Sequence, residues 1–101
     1  MYLHIVLMAP HSPVSPDFVP KLEQSFVRIR QECAGLERFE WVPNLSRSSA
    51  RYSHALLSVF STQEALDSYR DSQAHQAMLD AIGPYIQDIV VLDSLLEGDS
   101  L

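Results

Sequence analysis

Four histidines, at positions 4, 11, 54 and 75, are the groups in this chain best suited to moving protons near neutral pH. His11 stands between Pro10 and Ser12-Pro13, where a solvated ring is expected. His4 and His54 sit in apolar runs instead, His4 beside Ile5-Val6-Leu7 and His54 ahead of Ala55-Leu56-Leu57. An imidazole among such neighbours needs a hydrogen-bond partner or it costs stability. Two readings stand: satisfied core histidines, or rings that line a cavity and touch a polar ligand. Tyr52, two residues before His54 and on the same strand face, joins them as a ligand-binding candidate. His75 follows Ser72 by three residues, which makes Ser72 the N-cap of a helix and puts His75 in its first turn. The positive end of the helix dipole disfavours imidazolium there, and a neutral imidazole is what a general base requires.

The other reactive groups carry less. A metal held by His4, His54 and His75 would suit imidazole chemistry, yet no His-x-x-x-His or Cys spacing supports it, so no metal and no other cofactor is expected. The single cysteine, Cys33, cannot form an internal disulfide. Arg47 and Arg51 lie in a serine-rich loop and read as solvated. Gly98-Asp99-Ser100-Leu101 spells a serine-esterase motif without a following helix to hold the nucleophile, so a frayed tail over 97–101 is expected.

The elements that must position these groups are legible from breakers and periodicity. Residues 3–9 form an apolar strand closed by Pro10. Asp17 as N-cap places Pro20 in the first helical turn, where no intrahelical donor is needed. Phe18, Leu22, Phe26, Ile29 and Cys33 then make one buried stripe, and Gly35 ends the helix. Residues 36–42 predict a second strand, 44–51 a polar loop, and 51–60 a third strand. Ser61 with Glu64 reads as a capping box, opening a helix whose inward candidates are Ala65, Leu66 and Tyr69. Ser72 opens another, with Ala74, Ala77, Met78, Ala81 and Ile82 on one face, and Gly83-Pro84 stops it. Residues 88–96 supply the last strand. The expected class is α+β, a ferredoxin-like β-α-β-β-α-β chain with a four-stranded antiparallel sheet over residues 1–96.

At 101 residues the chain fits one domain, and a net charge of −6 gives no basic footprint for nucleic acid or anionic membrane. The N-terminus has no charged start and no stretch approaches a membrane span, so a cytoplasmic protein is expected. In the third strand Tyr52, His54, Leu56, Ser58 and Phe60 point one way, and Ser53, Ala55, Leu57 and Val59 the other. In the first, His4, Val6 and Met8 oppose Ile5, Leu7 and Ala9. Neither face is charged, and the helices can cover only one of them. A second copy of the chain is expected on the other.

Five fragments in order, His4-Ile5-Val6-Leu7, Asn44-Leu45-Ser46, Tyr52-Ser53-His54-Ala55-Leu56, Ala74-His75-Gln76-Ala77 and Ile89-Val90-Val91-Leu92-Asp93, give the chain a likeness that spans nearly all of residues 1–96. It resembles the stress-responsive dimeric A/B barrel family, departing from it at Ser72-Gln73, where the family usually has His-Pro. The resemblance implies a homodimer whose two four-stranded sheets close into a barrel with a cavity. It implies no single chemistry, because members include stress proteins without assigned reactions, a plant polyketide (olivetolic acid) cyclase and a plant hydroxynitrile lyase. The cyclase carries a tyrosine and a histidine at the spacing of Tyr69 and His75, and the resemblance implies a general acid and a general base. On one continuous helix the two would lie on different sides, so the pairing requires a break at Asp71-Ser72.

The expected function is a homodimeric barrel binding a small, mostly apolar carbonyl compound. As an enzyme it would be a cofactor-free cyclase or lyase with His75 and Tyr69 catalytic and His54, His4 and Tyr52 touching the ligand. The alternative is a non-catalytic stress or ligand-carrier protein with structural histidines. An oxygenase of a related barrel superfamily finds little support in one Trp and no haem-ligation motif.

Overall fold

A computed structural model describes residues 1–97. The chain runs β1 (Tyr2–Pro10), α1 (Phe18–Glu32), β2 (Leu36–Pro43), β3 (His54–Phe60), α2 (Gln63–Asp71), α3 (Gln73–Ile82), a single 3-10 turn (Gly83–Tyr85) and β4 (Ile86–Leu95). The sheet order is β2-β3-β1-β4 with every neighbouring pair antiparallel. This is the ferredoxin-like α+β arrangement expected from the order of elements. Of the expected tail at 97–101, residues 98–101, with Ser100, lie outside the described residues. Among the described residues no helix is long and apolar enough to cross a membrane.

All three helices pack on one face of the sheet, because that is where each has its apolar stripe. Phe18, Leu22, Phe26 and Ile29 of α1 and Ala74, Met78 and Ile82 of α3 are buried against Val6, Met8, Phe39, Leu56 and Phe60. β1 and β3 pair with His4 opposite Ser58 and Val6 opposite Leu56, so His4 lies on this covered face. The alternate residues form the other face. There Ile5, Leu7 and Leu57 are half-buried, and Val90 and Leu92 are about half exposed at 45% and 52%.

Three local expectations need correction. β3 begins at His54, not Arg51, because the preceding loop folds around the side chain of Asn44. The Asn44 amide donates to the carbonyls of Ser49 and Tyr52, and its backbone N–H donates to Ser53. Asp17 is the N-cap of α1 as expected, although its side chain makes no cap bond and the Ser15 hydroxyl accepts the Asp17 N–H. The cap of α2 is Thr62, whose Oγ1 accepts from Ala65 N–H at 3.0 Å, while Ser61 N–H is taken by the Gly35 carbonyl. Cys33 does not extend the buried stripe: α1 stops at Glu32 and Cys33 is its extended, half-buried C-cap.

Gly35 makes that chain reversal possible. Its φ is +77°, and a Cβ there would sit 2.5 Å from the Cβ of Ala65 on α2. Gly35→Ala is therefore expected to destabilise the fold by about 2–4 kcal/mol in urea unfolding, combining left-handed strain with overpacking. Thr62→Ala should cost about 1 kcal/mol and lower Tm by roughly 4–8 °C, whereas Ser61→Ala should leave the melt nearly unchanged.

Candidate functional site

The break between α2 and α3 rests on one hydroxyl. Ser72 is extended (φ −73°, ψ 152°), donates its O–H to the Tyr69 carbonyl at 2.7 Å and accepts the His75 N–H at 3.0 Å. The helix axis restarts between the two residues, and their rings come together with centroids 4.7 Å apart. Both line a cavity of about 560 Å³ between α2–α3 and the β1–β4 side of the sheet.

Tyr69 is 1% exposed, and its ring packs against Phe60 at 5.2 Å and edge-on to His4 at 5.7 Å. Its hydroxyl is buried without a hydrogen-bond partner. Burial drives the phenol pKa well above its ordinary value, with the Cys33 thiol adding to the same direction. Tyr69 therefore stays protonated and can only gain by donating to an incoming oxygen.

His75 is only half-buried, and its Nδ1 lies 3.0 Å from the Arg70 carbonyl. A carbonyl accepts only, so Nδ1 carries the proton and Nε2 keeps its lone pair. Burial lowers the His75 pKa, opposed by that backbone bond and assisted by His4 and Arg70 nearby. The imidazole is thus a neutral base.

His4 joins this pair from the sheet. Its Nδ1 donates to a carboxylate oxygen of Asp93, its direct partner across β1 and β4, and the second Asp93 oxygen accepts from Arg70 at 2.9 Å. Arg70 also pairs with Asp67. The polar end of the cavity is therefore His4, Tyr69, Arg70, His75 and Asp93, and the remainder is largely apolar, with Val6 and Val91 next along the sheet and Met78, Leu79 and Ile82 above.

The structure brings together three of the five residues singled out by sequence. His54 stands apart from the cavity wall, stacked on Trp41 at 5.0 Å with an interplanar angle of 2°, its Nδ1 by the Ser53 hydroxyl at 3.1 Å. Tyr52 is in the loop ahead of β3, where its hydroxyl donates to Asp88 at 2.8 Å. Asp93 and Arg70 were not singled out. The readable signal for Asp93 is a carboxylate that directly follows the apolar run Ile89–Leu92, on the same alternating face as Ile89 and Val91.

The direction of the His75 shift fixes a pH dependence. The unfolded chain binds more protons than the folded one between the lowered pKa and the ordinary imidazole value of 6.5. The contribution of His75 to stability is thus complete above that window and lost as pH falls through it. A proton NMR titration should place the His75 midpoint below the ordinary imidazole value of about 6.5, and His75→Gln should flatten the acid side of the stability profile.

Residues 3–95 match the family described as Stress responsive A/B Barrel Domain. No functionally curated protein matches the chain. Among solved structures it is similar to a dimeric ferredoxin-like protein of unknown function from Jannaschia sp. CCS1, at 24% identity and TM-score 0.81, covering 94% of this chain and 98% of that one. It is similar to At3g17210 from Arabidopsis thaliana at 21% identity and TM-score 0.80, with both chains covered fully at 100%. The hydroxynitrile lyase from Passiflora edulis superposes with TM-score 0.79 at 16% identity, over 99% of this chain and 95% of that one.

Proposed function

From the premise that the chain belongs to the stress responsive A/B barrel family, we propose a homodimer in which each chain binds a small, mostly apolar carbonyl compound and acts on it by acid–base catalysis. The observation that carries this reading is the Tyr69–His75 contact at 4.7 Å inside a cavity, with His75 tied through Nδ1. His75 Nε2 takes a proton from the carbon next to the carbonyl. The electron pair of that C–H bond moves to form the enolate, and the Tyr69 O–H stabilises the oxygen as charge develops. The Nδ1–H bond to Arg70 holds the resulting imidazolium until it returns the proton. No step requires a cofactor, which suits a cyclase or lyase, each of which makes or breaks a bond beside a carbonyl.

Deuterium exchange at the carbon beside the carbonyl of benzylacetone, followed by proton NMR in heavy water, tests the reading without knowing the natural substrate. The protein should accelerate exchange over buffer, and His75→Ala and Tyr69→Phe should each reduce the acceleration about 100-fold. Equal exchange in wild type and both variants would refute it.

The homodimer is supported by the apolar sheet face left open by the helices and by the dimeric description of the Jannaschia protein. Light scattering should report twice 11.4 kDa at micromolar protein. Leu92→Asp, on the open face, should shift the protein to monomer while retaining its circular dichroism, since Leu92 is 52% exposed in the single chain.

A further inference from the structure

Two of the cavity-lining side chains are buried with a polar atom that has no partner, and the two are of opposite kind. Tyr69, 1% exposed, has an unpaired hydroxyl that must donate. His4, 4% exposed, has an unpaired Nε2. Because the Asp93 carboxylate accepts from Nδ1, and Arg70 holds that carboxylate from its other side, Nε2 of the neutral ring is an acceptor. A third unpaired atom, the hydroxyl of Ser58, lies directly across from His4 on β3, away from the cavity wall. Leaving a buried donor and a buried acceptor unmet forfeits the desolvation of both groups without return. The fold tolerates both beside one cavity, with their rings 5.7 Å apart.

We infer that the site takes a hydroxy-carbonyl compound: the carbonyl oxygen accepts from Tyr69, and a hydroxyl or enol a short distance along the same molecule donates to His4 Nε2. This rests on the carbonyl reading above and names the substrate class within it. His4 becomes the specificity-determining residue, and Asp93 its positioning residue, which acts by fixing the tautomer. The apolar wall at Val6, Met78, Leu79 and Val91 takes the rest of the molecule. A carbonyl compound without the hydroxyl leaves His4 Nε2 unmet, and the site discriminates by that loss.

The test compares benzylacetone with its α-hydroxy derivative by calorimetric titration. Wild type should bind the hydroxy ketone about ten-fold more tightly. His4→Leu should abolish the difference, so that the two ketones bind with equal affinity. Asp93→Asn should do the same without emptying the core, because an amide N–H can face Nδ1 and move the ring proton to Nε2. In wild type, nitrogen-15 NMR should show the His4 Nε2 resonance moving with the hydroxy ketone and staying put with benzylacetone. Equal affinity of wild type for both ketones, or a preference that survives both variants, overturns the inference and leaves the carbonyl reading standing. Failure of both ketones to bind overturns the two together.

Discussion

The candidate site depends on Ser72. On an uninterrupted helix, Tyr69 and His75 would stand about 120° apart around the axis, on different sides of the helix. The Ser72 hydroxyl ends α2 by donating to the Tyr69 carbonyl and begins α3 by accepting from its first turn. A single side chain thus satisfies groups at two helix termini, which is why the break can lie against the core without exposing unmet backbone. Cys33 Sγ lies 4.0 Å from the same hydroxyl, so the C-cap of α1 packs against the hinge of the site.

A second constraint comes from the sheet. Three helices on one face leave β4 as an edge strand whose residues are exposed on both sides. Val90 and Leu92 look outward to the open face, while Ile89, Val91 and Asp93 look toward the cavity. The run Ile89-Val90-Val91-Leu92 is unalternating because each of its faces is apolar for a different reason. One face offers a surface to another chain and the other offers a wall to a ligand.

Much of this was legible in the residues and their spacing. Pro20 and the stripe from Phe18 to Ile29 located α1, and Ser72 located the restart of α3, because local chemistry alone decides these features. The β3 start was misjudged since Arg51 and Tyr52 continue the alternation, while the bonds that withdraw them come from Asn44, several residues away. Thr62 and Ser61 are both competent caps, and the choice between them falls to a contact with Gly35 across the sheet end. At the site, alternation groups His54 with Leu56 and Phe60, which lie on the covered face, but Trp41 on β2 claims its ring. The His4–Asp93 bond joins residues at the two ends of the chain, and only strand pairing makes them neighbours.

Arg70 serves the two imidazoles through different chemistry. Its backbone carbonyl sets the tautomer of His75, and its guanidinium restrains the carboxylate that sets His4. Any residue at position 70 supplies the carbonyl, but only an arginine or a comparably long cation supplies the tether. Substitutions accumulating at this position would loosen the His4 ring and, while easing the protonation of His75, leave its tautomer fixed. The fold can therefore drift in what it recognises while the orientation of its proton-accepting base is inherited with the backbone.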